Sequence, residues 1–338
     1  MEPPPTLTAV MPVCDGRAHL ERSLPALIEA GRGLLAEVIV VDDGSVDDSG
    51  AYAASLGARV LRLGDEAQGP ARARNRGAAS ATGEVVLFVD ADVVVHRDAV
   101  ERVARALVSG GPAAVFGTYD AQPAARNLAS LYVNLRHHHV HRRPSEDAAT
   151  FWSGLGAVRR EAFEEVGGYD AERFSQPSIE DIDLGRRLRE AGGRIRRDPT
   201  LRGKHLKVWS WRSVVRTDFF LRALPWARLM GEHPGAFDDL NVGRSERARA
   251  LLALAWLTSL LAAVCGATDA PVLLLVGAAV FAANGPLVLT FLRGGGPLLA
   301  VAGTLFHQVY FLYSAAAYLY CRITGPPAAG RDRARRSP

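Results

Sequence analysis

Three long stretches without a single Asp, Glu, Lys or Arg fill the C-terminal quarter of this 338-residue chain: 19 residues between Arg249 and Asp269, 23 between Asp269 and Arg293, and 28 between Arg293 and Arg322. A helix rises about 1.5 Å per residue and the apolar core of a bilayer is about 30 Å thick, so each stretch is long enough to cross it. A buried core helix is the alternative for any one of them. Three in succession, parted only by the polar breaks Thr268-Asp269-Ala270 and Arg293-Gly294, predict membrane segments over 250–268, 270–292 and 297–321. Met1–Thr8 is proline-rich and lacks the apolar run of a signal peptide, so the N-terminal two-thirds is expected to stay in the cytoplasm, with the chain held at the cell membrane. Three crossings would then leave Arg331, Arg333, Arg335 and Arg336 outside, against the positive-inside tendency. Either that tendency is overridden or one segment is re-entrant, and Asn284-Gly285-Pro286 offers a place for the break.

The formal charge of +4 is modest, and the arginines gather at 186–249 and 322–336, beside the apolar segments. That distribution suits anionic lipid headgroups and excludes nucleic acid as the expected partner. Cys14, Cys265 and Cys321 lie far apart and outside any CxxC spacing, so neither a disulfide framework nor a zinc site is expected.

Ahead of the apolar quarter, strands and helices alternate. LTAVMPV (7–13), EVIVV (37–41) and ARVLRL (58–63) read as strands, and helical patterns cover Ala18–Gly31, Ser49–Leu56 and Ala71–Ala81. A fourth strand follows in GEVVLFVDADVVV, Gly83–Val95, and stops at Asp90-Ala91-Asp92. This rhythm predicts a doubly wound, mostly parallel α/β sheet, whose ligands bind at the carboxyl ends of the strands. Two acidic clusters fall at those ends: Asp42-Asp43 and Asp90-Ala91-Asp92. Read as a strand, the second pair points two carboxylates the same way, and they repel unless a cation lies between them; otherwise Asp90 caps a turn and Asp92 is solvated. GPARARNRG, Gly69–Gly77, opens a helix with Arg72, Arg74 and Arg76, either facing a phosphate or forming an exposed basic face. Neither GxGxxG after the first strand nor a Walker loop is present, which disfavours a Rossmann dehydrogenase or a P-loop ATPase.

In order along the chain, VMPVCDG, VVDDGSVDD, GPARARNRGAASATGE, FVDAD, FWSGLGAVRREAFEEVGGYD and EDIDLGRRLREAGGRI resemble the motifs of the family 2 glycosyltransferases, inverting enzymes with a GT-A fold. The resemblance spans roughly Thr8–His205. It implies that Pro12, Val13, Asp42, Asp43, Arg72 and Asp90 bind the nucleotide-sugar donor, a UDP- or GDP-sugar. Asp92 would hold Mg2+ or Mn2+, with His205 of RGKHLKVW matching more loosely a histidine that helps to coordinate metal or diphosphate. Trp152, Ser153 and Gly154 fall on the acceptor side. Asp181 matches the general base, with Glu180 beside it; both stand at the start of a helix, where the dipole favours carboxylates.

The processive membrane synthases of the family carry a Q/RxxRW motif, for which RALPW, Arg222–Trp226, is a poor substitute. Polysaccharide synthesis is therefore not expected. Leu206–Met230 instead alternates Trp209, Trp211, Phe219 and Trp226 with arginines and reads as a helix in the headgroup layer, interrupted at Pro225. LRHHHVH, Leu135–His141, reads as a polar helix face near the acceptor entrance, since no carboxylate or cysteine stands beside it as a further metal ligand. The expected organisation is a GT-A domain over 1–205, interfacial helices over 206–246, a membrane domain over 247–323 and a basic disordered tail over 324–338. The expected activity is transfer of a sugar to a membrane lipid, a polyprenyl phosphate or glycolipid, at the cytoplasmic face. The alternative is a non-catalytic, transferase-like membrane scaffold that binds nucleotide or lipid.

Overall fold

A computed structural model of the chain describes residues 4–237 and 243–324. The basic tail, with Arg331–Arg336, lies outside the described residues. The N-terminal half winds as the alternation predicts: β1 Leu7–Val13, α1 Arg17–Ala30, β2 Leu35–Asp42, α2 Ser49–Ser55, β3 Arg59–Arg62, α3 Pro70–Ala79 and β4 Val85–Val89. These strands lie parallel in the order β3-β2-β1-β4. Their near-continuous apolar runs fit strands covered on both faces. Ala9 and Met11 of β1 pack with Leu20, Leu24 and Leu27 of α1, whereas Val10 packs with Ala71, Ala73 and Ala78 of α3, so the two faces feed separate cores.

Beyond β4 the sheet becomes mixed. β5 Val93–Val95, α4 Ala99–Ala106, β6 Ala114–Tyr119, α5 Leu128–His141, β7 Leu155–Arg159, α6 Arg160–Glu165, α7 Glu180–Glu190 and β8 Ile195–His205 complete an eight-stranded sheet among the described residues, in the order β3-β2-β1-β4-β7-β6-β8-β5. β7 runs antiparallel to β4 and β6, and β5 antiparallel to β8. As expected, the strand ends at the acidic cluster, but the cluster itself is not strand: β4 stops at Val89, the chain turns through Asp90-Ala91-Asp92 with the Val93 N–H bonded to the Asp90 carbonyl at 2.9 Å, and β5 joins the far edge of the sheet. The two carboxylates therefore sit on a turn and do not share a strand face.

The stretch after the sheet folds as α8 Trp211–Arg216, a π-helical segment Thr217–Ala223 and α9 Leu224–Glu232. Pro225 explains the change of pitch: proline lacks an N–H and clashes with the carbonyl four residues back, which here is Leu221. The Leu221 carbonyl instead accepts the Ser178 hydroxyl at 2.9 Å. Arg212, Arg216 and Arg228 are exposed, as expected of an interfacial helix, but the tryptophans are not: Trp209 is buried with α5, and Trp211 packs on Tyr132 and Phe306.

The apolar quarter forms α10 Arg244–Val264, α11 Ala270–Ala283 and α12 Gly285–Thr324. The break falls at Asn284, whose side chain turns back to the Val280 carbonyl, and α12 kinks at Gly296 (φ 80°) and Pro297. The expected segment 270–292 thus divides at Asn284, where the sequence offered a break, and its second part continues past Arg293 to the kink at Gly296. Among the described residues two stretches, Ser245–Val264 and Gly285–Thr324, are long and apolar enough to cross a membrane. Part of α12 is committed to the protein, since Leu287, Phe291, Leu299 and Ala300 are buried against Tyr132 and Leu135 of α5.

Candidate active site

At the carboxyl ends of β1 and β4 a cavity of about 1210 Å³ opens, walled on one side by the sheet and on the other by α5, α7, α9, α10 and the last turns of α12. It gathers Pro12, Val13, Asp43, Asp90, Asp92, Trp152, Ser153, Gly154, Glu180, Asp181 and His205, residues drawn from six separate stretches of sequence.

Its organising cation is Arg74. Buried in α3, it bonds Asp90 Oδ1 through Nη2 at 2.7 Å and Glu180 Oε1 through Nη1 at 2.9 Å, so one guanidinium joins the acidic turn after β4 to the head of α7. Arg72, the arginine expected to face the donor, does not line the cavity. Two residues along a helix is a rotation of about 200°, and Arg72 reaches outward to Glu172 at 2.6 Å. Asp42 is likewise turned aside, accepting from Arg62 at 2.9 Å and from the Ser45 N–H. Asp43 lines the cavity while its two oxygens accept the N–H groups of Gln68 and Gly69 at 2.7 and 2.8 Å, fixing the entry to α3. Gly69 has φ 97°, and a Cβ there would collide with the Ser175 carbonyl, so the turn before Pro70 requires glycine.

Asp181 and Glu180 open α7. Asp181 faces the cavity, its Oδ2 accepting the Ser153 N–H at 3.3 Å and its Oδ1 the Ile182 N–H at 2.8 Å. Desolvation, and then the adjacent Glu180 charge, push its carboxyl up to about 7. Such a group is divided between base and acid near neutrality. Trp152-Ser153-Gly154 braces both sides of the site: Ser153 touches Asp181, and the Gly154 carbonyl accepts the Asp90 N–H at 3.1 Å. A Cβ on Gly154 would meet the Trp152 ring at 2.5 Å, so the glycine seats the indole among Tyr119 and His137.

On the opposite wall Asp92 Oδ2 lies 3.5 Å from His205 Nε2, with Tyr119 stacked on the imidazole at 4.2 Å between centroids. Burial raises the Asp92 pKa, but the hydrogen bond and charge of His205 outweigh it and hold the carboxyl below its usual range. Burial raises Asp90, with Arg74 opposing. Among the described residues no three His, Cys, Asp or Glu converge as a metal cage. Asp92 and His205 do fit a cation that completes its shell with diphosphate oxygens and water, the habit of Mg2+, which takes one or two carboxylates plus substrate phosphates.

α5 behaves differently from the polar face expected of LRHHHVH. His137 and His141 turn inward, 4.0 Å between rings, and line the cavity beside Arg136. Burial, and then the neighbouring His141 charge, hold His137 well below the ordinary histidine range, so it is neutral. Several lining residues escaped the sequence reading. Tyr119 carries no motif, Arg136 of LRHHHVH was not singled out, and Arg72 was named in place of Arg74. A signal for Arg74 existed, because it completes the buried stripe Ala71, Arg74, Ala78 at helical spacing.

Beyond Glu246 and Arg247 at the head of α10, the far end of the cavity is mostly apolar. Leu251 and Leu254 of α10 and Leu319 of α12 line it while remaining half or more exposed, so it runs without interruption from the carboxylates to the outer faces of the two long apolar helices. Between the two ends stands a buried polar knot: Asp218 bonds Arg136 at 2.7 Å, Arg222 at 3.0 Å and the Tyr313 hydroxyl at 2.9 Å.

Residues 8–167 match the family described as glycosyl transferase family 2, and residues 134–208 match the N-terminal domain of galactosyltransferase. The pre-mycofactocin glycosyltransferase of Mycobacterium tuberculosis is 35% identical over 206 residues, which make up 57% of this chain and 41% of that protein. The succinoglycan biosynthesis protein ExoA of Rhizobium meliloti is 30% identical over 202 residues, 55% of this chain and 58% of that protein. The chain thus spans well under two-thirds of the length of either relative. In fold it resembles the mannosyltransferase PcManGT from Pyrobaculum calidifontis, solved with GDP-Man and Mn2+, at a TM-score of 0.59, 22% identity and coverage of 94% of this chain and 88% of that one. It also resembles TarS of S. aureus, residues 1–349, solved with UDP-GlcNAc, at a TM-score of 0.52 and 15% identity over 94% of this chain and 92% of that one.

Proposed function

We propose that the chain is a nucleotide-sugar glycosyltransferase, as its match to glycosyl transferase family 2 over residues 8–167 and its GT-A-like fold support, that its acceptor is a membrane lipid and that transfer inverts the anomeric centre, with Asp181 as general base. The observation that carries this reading is the continuity of the cavity. One end presents the Asp90, Asp92 and Asp181 carboxylates, and the other ends on the exposed leucines of the two long apolar helices. A water-soluble acceptor has no use for that apolar wall; a lipid lies along it with its headgroup at Asp181.

The donor lies on the β1 and β4 side, its nucleotide against Pro12, Val13 and Asp43. Asp90, held by Arg74, orients the ribose. Asp92 and His205 would hold Mg2+ or Mn2+ against the diphosphate; when bound, the cation supplies positive charge that offsets the charge building on the departing nucleoside diphosphate. Trp152 and Gly154 shape the acceptor side. The acceptor oxygen, a hydroxyl of a glycolipid or the last protonated oxygen of a lipid phosphate, gives its proton to the Asp181 carboxylate as it bonds to the anomeric carbon. The nucleoside diphosphate leaves from the opposite face, which inverts the configuration. Arg136 and Arg222 share the single carboxylate of Asp218, which leaves net positive charge beside the path of the headgroup and favours an anionic one.

Domain limits follow the same division: a catalytic unit over 1–205, the α8–α9 stretch at the membrane surface and apolar helices that anchor the cavity mouth in the bilayer, with the catalytic unit in the cytoplasm. The test is incubation of the detergent-purified chain with labelled nucleotide-sugars and a bacterial lipid extract. Label is expected in the organic phase, dependent on Mg2+ or Mn2+ and lost in Asp181→Asn. Label confined to free sugar or a water-soluble product contradicts the proposal.

A further inference from the structure

On the side of α5 away from the catalytic cavity lies a second cavity of about 490 Å³, between the catalytic domain and the first half of α12. Its walls are two facing helical stripes. Leu135 and His138 of α5 and its cap Arg142 follow one another at intervals of three and four; Pro286, Leu289, Thr290 and Arg293 share one face of α12 at i, i+3, i+4 and i+7. The loop before α5 adds Arg126. Gly294 seals the floor by close approach: a Cβ there would lie 2.6 Å from Leu135 Cδ2.

Two features of this cavity call for a ligand. Arg126, Arg142 and Arg293 come from three separate elements, all are exposed, and none forms an ion pair with a carboxylate among the described residues. Most other arginines of the catalytic domain find an acidic partner, so three uncompensated guanidiniums around one concavity constitute a site of net positive charge. The wall that carries Arg293 continues directly into exposed apolar surface, with Leu289 49% and Leu292 43% exposed on the same helix and Leu298 67% exposed beyond the kink. Guanidiniums bind phosphate oxygens in a planar, bidentate fashion, and an adjoining apolar ridge suits an acyl chain.

We propose that this cavity binds one anionic phospholipid, its phosphate among Arg126, Arg142 and Arg293 and its acyl chain along Leu289 and Leu292. A free phosphate would satisfy the arginines and leave the ridge bare, which is why the ridge decides for a lipid. The site is separate from the catalytic cavity and does not depend on which acceptor the enzyme uses.

Native mass spectrometry of the full chain tests it. The protein is released from neutral detergent after equilibration with equal amounts of dioleoyl phosphatidylglycerol and dioleoyl phosphatidylcholine. The wild type should retain phosphatidylglycerol over phosphatidylcholine by about tenfold, the scale set by several basic contacts to an anionic headgroup. The triple variant Arg126→Gln, Arg142→Gln, Arg293→Gln should lose that preference, whereas Arg126→Lys, Arg142→Lys, Arg293→Lys, which keeps the charge, should retain part of it. Because the three side chains are exposed and unpaired among the described residues, both variants should unfold at the wild-type temperature in the same detergent. Equal retention of the two lipids by the wild type, or an undiminished preference in the glutamine variant, overturns the proposal. So does complete displacement of phosphatidylglycerol by millimolar inorganic phosphate, which would make this a site for free phosphate.

Discussion

Asp181 carries two consequences of one burial. Because its carboxyl is pushed up to about 7, the ionised fraction grows as pH rises through that value, and kcat/KM should rise with it and level off above. Asp181→Asn should lower transfer by about 10²–10⁴-fold or more while leaving calorimetric binding of the nucleoside diphosphate intact. The same shift has a stability sign. A carboxyl whose folded pKa lies above its ordinary 3.8 makes the folded state less stable as pH climbs from 3.8 towards 7, so the asparagine variant should be at least as stable as the wild type at pH 8. Loss of activity could then not be ascribed to unfolding. Asp90 and Asp92, one residue apart, should separate just as clearly. Asp92→Asn removes a carboxylate beside His205 and should weaken metal-dependent binding of nucleoside diphosphate; Asp90→Asn frees Arg74 on one side but should retain part of that binding, as titrations against Mn2+ would record. Equal behaviour of the two variants would contradict the division of roles. Gly154→Ala, which drives a Cβ into the Trp152 ring, should raise KM for the acceptor more than for the donor.

At the scale of elements, the π-helical segment joins the head of α7 to the long apolar helix α12. Ser178, two residues ahead of Glu180, donates to its Leu221 carbonyl, and Asp218 ties it to Arg136 of α5 and Tyr313 of α12. Burial alone would raise Asp218, but the Arg136 and then Arg222 charges outweigh it and bring the carboxyl down to about 2. Its contribution to stability is therefore full above its ordinary 3.8 and lost as pH falls through about 2. Asp218→Ala leaves Arg136 buried and unpaired and should cost about 3–5 kcal/mol, read from denaturant unfolding in detergent. Of this joint only the interruption at Pro225 was legible in the sequence; otherwise Leu206–Met230 showed alternating aromatics and arginines. Amphipathicity reveals that a helix has two faces but not whether the apolar one meets lipid or protein, and Trp209 and Trp211 meet α5. The parallel strands were legible because strands covered on both faces are unbroken apolar runs, as in VVLFV of β4. The end of β4 at Asp90 was legible too, but not the return of Val93–Val95 as a separate strand at the far edge, because that pairing is with the distant β8. β8 was hidden as well, since its sequence IRRDPTLRGKH reads as polar. Arg72 was preferred to Arg74 for want of the helix phase, which only the buried alanines of α3 supply.

For the whole molecule, the arrangement of cavity and helices makes a single point. The sheet sets Asp43, Asp90 and Asp92 on one rim, α7 sets Asp181 opposite, and α10 and α12 extend the same cavity into apolar surface, so on the proposed reading chemistry and membrane contact share one space. Substituting Leu251 and Leu254 by Glu should charge that wall and depress transfer to lipid while sparing hydrolysis of the nucleotide-sugar by water. The most direct measurement is the partition of product: purified full-length chain, a labelled nucleotide-sugar selected from a UDP- and GDP-sugar panel, Mn2+, and total lipid extract, followed by organic extraction. Acceptance of sugar by a lipid, abolished in Asp181→Asn and strongly reduced by the Leu251→Glu, Leu254→Glu pair, is the expected result; transfer to a water-soluble acceptor at equal or greater rate, untouched by the leucine substitutions, would contradict it.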